Sequence, residues 1–500
     1  MRLFLDEIYD RRLKVLSYIN NSGQPKSVKE IATATDFANR TVSMIVRQFE
    51  QELDVSEKEF KVHYVNRTIK SVSASNLDLN GIGRDYLVQS TMYKIVKHIF
   101  LSDKLDVTKF CEAKFISAAT FSRQRKKIKD ILKKCGLGLS RENRIIGDEF
   151  KIRNFFFLFF FNSSNMWEFS KQEQTQIINY FSQQFDWWEE LDSVKQLKMT
   201  LLVYISLVRS RQKNFAEDKT LMNLTKKRMN TLNVKILYGY FSSVKNKTIG
   251  QVWAETSATL YFFYKENIHY EPLELEKYED YFSKEHFPFV KQSEKLSNRI
   301  VETFFDETSN QELYLNIRKE IDLFYLNFDI CFIDHKIFYY IYDEDNFYHI
   351  DKLEAEMKEK LLLILNQLNI YEEGRIFTGV EKETVVDYLY LIVYTLQIKF
   401  KSVDYTPVKV FIQNTKLFVS NILAKKLKLF FGDRIECVEI LTSDVDIIVT
   451  DVHMPTQKNH AEQIYVATFS DLSDTSFLIE QIQNKLIEKY AQRKMHLQKT

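Results

Sequence analysis

Glycine and proline are scarce in this sequence, 11 and 5 among 500 residues. Turn-rich β architectures and long loops need both, so a mainly α chain is expected. The four cysteines, Cys111, Cys135, Cys331 and Cys437, lie far apart and form no CxxC pair, which argues against a disulfide framework. A charged-then-apolar leader is missing at Met1, where Arg2, Asp6 and Glu7 interrupt the apolar residues. Both absences fit a reducing cytoplasm. The apolar run Phe155 to Phe161 is seven residues long, against about 20 for a membrane-spanning helix. It reads as the buried start of a helical domain, and no membrane partner is expected.

Catalytic signatures are missing as well: there is no GxxxxGK[ST], no GxGxxG and no HExxH. Gly81-Ile82-Gly83 and Gly136-Leu137-Gly138 are two-glycine turns of a common kind. His335 with Asp334, Asp343, Asp345 and His349 matches no standard metal-ligand spacing, so a solvated loop is expected there. Trp187-Trp188 reads as core packing. No enzyme activity, cofactor or metal is expected.

Five hundred residues exceed a single core, and several domains are expected. Net charge is only +2, but it is unevenly spread: residues 1–160 carry 29 Lys and Arg against 19 Asp and Glu, leaving 41 against 49 for residues 161–500. A basic head on an acidic body points to an anionic partner for the head.

The head carries two helix-turn-helix patterns. Asp106 to Lys134 reads as two short helices joined by a turn, the second amphipathic. Its Phe121, Ile128, Ile131 and Leu132 make one stripe. Thr120, Arg123 and Lys127 fall on another side, flanked by Arg125 and Lys126, with Lys134 further along. Such a helix suits the major groove, where phosphates attract cations and Arg or Thr reaches base edges. Leu137 to Arg153 then reads as a β-hairpin wing with a Gly147-Asp148 turn. Earlier, Ser27-Val28-Lys29-Glu30 has the capping-box form, and a turn at Asp36 to Asn39 leads to the helix Arg40 to Leu53. Val42, Ile45, Val46, Phe49 and Leu53 form its stripe, with Arg40, Ser43 and Arg47 away from it. Tyr64 to Val72 reads as a wing carrying Arg67 and Lys70. Double-stranded DNA is the expected partner, and two readers per chain make a homodimer or higher oligomer useful.

Asn76 to Arg84 reads as a polar separator between the readers. Beyond them, helical periodicity marks Val194 to Arg211, Gln251 to Glu266, Gln311 to Tyr342, Asp351 to Leu368 and Val380 to Phe400, with residues 271–290 as a linker. After Pro407, the β-branched runs Val408 to Ile412, Cys437 to Leu441 and Val445 to Thr450, then Gln463 to Phe469, alternate with helices at Leu417 to Phe430 and Phe477 to Arg493. That alternation indicates a small parallel α/β domain.

This order of parts resembles the Mga/AtxA family of virulence regulators of Gram-positive bacteria over essentially the whole chain. The resemblance implies winged helix-turn-helix domains at 1–75 and 76–154, helical phosphotransferase-system regulation domains at 155–285 and 286–402, and an EIIB-like domain at 403–500. It also implies phosphotransferase-system proteins as partners and an activator of virulence or sugar-linked genes. Two positions depart from the family pattern. In the first block neither Val194 to Arg211 nor Gln251 to Glu266 contains a His, Tyr204 and the run Tyr261 to Tyr264 occupying the expected places, which leaves His335 in the second block as the helix-borne phosphosite candidate. The turn that would carry an EIIB nucleophile is Gln413-Asn414-Thr415-Lys416, which favours a docking or dimerisation tail. The alternatives are an RNA-binding antiterminator, which would need a β-rich head, and a phosphocarrier, which would need that nucleophile.

Overall fold

The computed structural model describes residues 1–22, 24–52, 59–74, 77–163, 169–266, 289–305, 311–338, 351–370, 380–400, 407–413, 419–438, 440–450, 461–465 and 478–486, with residues 167, 268, 377, 488 and 489. The chain divides into two compact units, Met1–Gln397 and Ile398–Thr500.

The first unit opens with α1 (Glu7–Asn21), α2 (Val28–Thr35) and α3 (Asn39–Glu52), then the antiparallel strands β1 (Phe60–Val65) and β2 (Thr68–Ala74). Lys26 bridges to Val72, giving the sheet a third, minimal strand before α2. The capping box at Ser27 forms as expected: Ser27 Oγ accepts from the Glu30 amide at 3.2 Å, and the Ser27 amide donates to the Glu30 carboxylate at 2.8 Å. Val42, Ile45, Val46 and Phe49 of α3 are buried, while Leu53 lies outside the described residues. This is a winged helix.

A second winged helix follows from α4 (Leu79–Gln89), α5 (Thr91–Ser102), α6 (Val107–Lys114), α7 (Ala118–Lys134), β3 (Gly138–Leu139) and β4 (Ile145–Ile146). Two details differ from the sequence reading. The Asn76–Arg84 stretch is helical from Leu79, because Asp78 Oδ1 accepts from the Gly81 amide at 2.8 Å and Ile82 is buried. The second hairpin is also shorter than Leu137 to Arg153. Asp148 Oδ1 accepts from the Lys151 amide, and the chain enters α8 (Glu149–Ser163) there.

α8 is the central post of the unit. Phe155, Phe156, Phe157, Phe159 and Phe160 are all buried, as expected for a helix apolar on every side. Its rings meet Phe4 and Phe338 on one flank and Tyr93 and Phe100 of α5 on another. Each fully buried Phe contributes roughly 1.5–3 kcal/mol, so this aromatic column joins the second winged helix to the helical body. That body comprises α9 (Lys171–Gln184), α10 (Ser193–Arg211), α11 (Lys219–Lys227), α12 (Leu232–Ser243), α13 (Ile249–Lys265), α14 (Val290–Phe304), α15 (Gln311–Asp329), α16 (Asp351–Gln367) and α17 (Lys382–Phe400). Trp187 and Trp188 are buried in it, Trp187 against Phe185. The helix expected to reach Tyr342 ends at Asp329. Burial of Cys331, Ile333 and Phe338 draws the chain off the helix axis, and residues 339–342 lie outside the described residues.

The second unit is a parallel four-stranded sheet in the order β6-β5-β7-β8: β5 (Val408–Gln413), β6 (Ile435–Val438), β7 (Ile447–Thr450) and β8 (Glu462–Tyr465). α18 (Val419–Phe431) connects β5 to β6. Val408, Val410, Leu423, Leu427, Ile447, Val449, Leu478 and Ile482 form its core. The strand expected at Cys437 to Leu441 starts and stops earlier, since Ile435 is the buried end of that run and Ile440 is exposed.

Candidate nucleic-acid interface

α7 is built to pack on one side and offer charge on the other. Phe121, Ile128, Ile131 and Leu132 are buried. Arg123, Lys126, Lys127, Lys129, Lys133 and Lys134 are all exposed, and among the described residues no carboxylate forms an ion pair with any of them. The six cations share this stretch of helix with a single carboxylate, the exposed Asp130, so a net repulsion remains that an anionic ligand would relieve. The helix is capped at both ends. Ser117 Oγ accepts from the Thr120 amide at 3.0 Å and lies 2.9 Å from the Thr120 hydroxyl. Past the far end, Gly136 (φ 68°) makes a Schellman turn in which the Leu137 amide donates to Leu132 and the Gly136 amide to Lys133.

The residues that open α7 are small. Ser117, Ala118, Ala119 and Ser122 are exposed, so the helix end can approach a groove floor without bulky side chains in the way. Thr120 is half-buried and shares its hydroxyl with the cap, while Arg123 and Lys127 stand free on the outer side.

Arg125 departs from the sequence expectation. Its Nε donates to Asn143 Oδ1 and its guanidinium also to the Ser140 carbonyl at 2.8 Å, so it is turned toward the hairpin and away from the outer face. Asn143 is buried at φ 59° and donates in turn to the Leu105 carbonyl at 3.1 Å. Arg125 therefore acts as a clamp for the hairpin.

In the first winged helix Arg40 and Arg47 are exposed and Ser43 is half-buried. The Arg47 guanidinium donates to the Arg67 carbonyl at 3.2 Å, which brings the helix and wing candidates together. Asn66 and Arg67 both have positive φ, 49° and 63°, as a two-residue hairpin turn of the primed kind requires. Lys70 is exposed on β2. An acidic neighbour is occupied: Tyr64 donates to Glu50 at 2.6 Å.

Asp6 links the two modules, and nothing in its local sequence announced that. It precedes α1, yet its carboxylate accepts from the Thr91 amide (2.9 Å) and hydroxyl (3.0 Å) at the start of α5 and from Gln124 Nε2 of α7 (3.0 Å). An anion at the positive end of α5 is well placed. Stacking of Tyr9 on Tyr86, with ring centroids 4.8 Å apart, adds a second link. The orientation of one recognition helix relative to the other is thereby set by packing and hydrogen bonds.

Behind the second hairpin lies a buried ionic chain that the sequence reading also missed. Arg144 pairs with Asp103 at 2.7 Å, Asp103 with Arg209 at 3.2 Å, Arg209 with Glu149 at 2.8 Å, Glu149 with Arg153 at 3.1 Å, and Arg153 with Glu255 at 2.8 Å. Burial alone would raise the Glu149 carboxyl, but the Arg209 hydrogen bond and the charges of Arg153 and Arg209 outweigh it and hold it below the usual range.

A tandem of winged helices with a free cationic face is the geometry against which the comparisons stand. The family model for the Mga helix-turn-helix domain matches residues 75–160. Residues 75–160 are a Mga helix-turn-helix domain. The Mga domain takes in α4 to β4 and the first turns of α8, and it agrees with the resemblance drawn from the order of parts. It points to a DNA-binding transcription regulator. Among curated proteins no sequence matches the chain. Among the described residues no helix is long and apolar enough to cross a membrane.

His335, the candidate phosphosite, lies on a single 3-10 turn (His335–Phe338) and is half-buried, its amide donating to the Tyr388 hydroxyl at 3.2 Å. Burial pushes its imidazole down to about 4. Asp343, Asp345 and His349, considered with it as a metal group, lie outside the described residues, as do Asn414, Thr415 and Lys416 of the turn after β5.

Proposed function

We propose that this chain is a cytoplasmic transcription activator that grips duplex DNA with the outer face of α7 and uses the first winged helix as an auxiliary reader. The observation that carries the reading is the unpaired row Arg123, Lys126, Lys127, Lys129, Lys133 and Lys134 on a recognition helix. Glu50 beside Arg47 makes the first reader the weaker one. The resemblance to Mga/AtxA regulators favours virulence or sugar-linked target genes and regulation by phosphotransferase-system proteins, with His335 as the site. The second unit serves oligomerisation rather than catalysis. Its α18 exposes Ile422, Leu429 and Phe430 at 57 %, 81 % and 62 %, an apolar stripe suited to a second copy.

The test is a gel-shift titration of Arg123→Ala/Lys127→Ala at two salt concentrations. Each lost phosphate contact should flatten the log–log salt slope by about 0.9, with affinity falling at least ten-fold and thermal stability unchanged, since neither side chain has a partner among the described residues. Unchanged affinity would remove α7 from the interface.

A further inference from the structure

Phe115 is the residue at which α6 turns into α7, and its position is costly in two ways. Its backbone is left-handed, at φ 54° and ψ 44°, a region that favours glycine and asparagine and disfavours aromatic side chains. Its ring is 96 % exposed, the highest exposure among the large apolar residues described. The backbone needs of the turn are met without the ring: the Phe115 amide donates to Glu112 and the Ile116 amide to Cys111. Neither packing nor backbone geometry accounts for a phenylalanine here.

The first winged helix supplies a comparison within the chain. There the same left-handed turn position, at φ 59° and ψ 40°, holds Asp36, a residue that tolerates this backbone and suits water. The two turns thus share a geometry and differ in what they present.

What surrounds Phe115 says what it would meet. It stands two residues before the Ser117 cap, at the end of α7 that enters a groove first in helix-turn-helix docking. The neighbouring exposed residues Ser117, Ala118, Ala119 and Ser122 are small. In that setting the large projecting apolar group lies where base edges would be, and the apolar feature of a major-groove floor is the thymine 5-methyl group.

We propose that Phe115 is a specificity-determining residue that packs its ring on a thymine methyl in the major groove. The assignment rests on the DNA-binding reading above and adds the base that the second winged helix reads.

The test uses the full chain. Duplexes are selected from a random pool by the wild-type protein, and each thymine of the selected site is then replaced in turn by deoxyuridine, which removes only the methyl. Wild type should lose about four-fold in affinity at one or two positions, the value of one buried methyl. Phe115→Ala should bind the thymine and deoxyuridine duplexes equally while keeping its affinity for unselected duplex. Phe115→Asn, which suits the left-handed backbone, should behave the same way and excludes misfolding as the cause. A wild-type protein indifferent to deoxyuridine throughout the site, or variants that still discriminate, would overturn the role of Phe115 and leave DNA binding standing. A wild-type protein that enriches no duplex and binds none would overturn both.

Discussion

His335 and Asp329 titrate in overlapping ranges with opposite consequences for folding. Burial pushes the His335 imidazole from 6.5 down to about 4, and burial with the nearby Asp218 charge pushes the Asp329 carboxyl from 3.8 up to about 6. Between about 4 and 6.5 the unfolded chain binds a proton at His335 that the folded chain refuses. That contribution to stability is therefore complete above 6.5 and lost as pH falls. Asp329 has the other sign: the folded chain holds its proton more tightly, so its contribution is present below 3.8 and lost as pH rises through 6. His335→Gln should remove the first term only. The stability difference between wild type and variant should then grow by about 1–2 kcal/mol from pH 4 to 6.5, after discounting for the partial exposure of the ring. Denaturant midpoints at several pH values would check this, and parallel curves would mean that His335 titrates normally.

At the scale of elements, the hairpin after α7 is only two residues per strand, too short to hold itself. Arg125 and Asn143 supply the missing hold. Asn143→Ala should cost about 2–4 kcal/mol, because it removes two hydrogen bonds from a buried site and leaves a Cβ-bearing residue at φ 59° without the local bonding that asparagine provides. Asn143→Gly should cost about 1 kcal/mol less, since only the backbone part is relieved. Equal losses for the two variants, measured by urea unfolding, would show that the turn carries no strain. The hairpin also marks where sequence reading succeeds and stops. Residue period and capping chemistry are local, so α2, α3, α6 and α7 and the stripes on α3 and α7 could be read directly from the residues. What a cation does after folding is not local. Arg125 and Arg123 are both basic and two residues apart, yet one meets Asn143 from 18 positions away and the other meets solvent. The same limit hid Asp6, whose carboxylate meets Thr91 and Gln124 far along the chain, and Phe115, whose oddness emerges only once its backbone angle and exposure are known.

Across the molecule, the ionic chain from Arg144 to Glu255 runs from the hairpin of the Mga domain through α8 and α10 to α13 in the helical body. Arg153 and Glu255 are fully buried at its inner end, and removing one member of such a pair typically costs about 3–5 kcal/mol because the other charge is left uncompensated. Glu149 accepts from both Arg153 and Arg209, so a change at Glu255 should redistribute Glu149 toward Arg153 and loosen Arg209, and with it Asp103 and Arg144. The chain is a physical network rather than a line of proximity, and it makes a measurable claim. Glu255→Gln and Asp103→Asn, whose side chains are joined through Arg209, Glu149 and Arg153 and also through Asn214, which donates to Asp103 and accepts from Arg153, should be non-additive in stability by about 0.5–3 kcal/mol. In Glu255→Gln alone, amide hydrogen exchange at Ile145 and Ile146 should quicken although α13 is left otherwise intact. Additivity within about 0.3 kcal/mol, or unchanged exchange in the hairpin, would mean that the helical body and the hairpin respond independently.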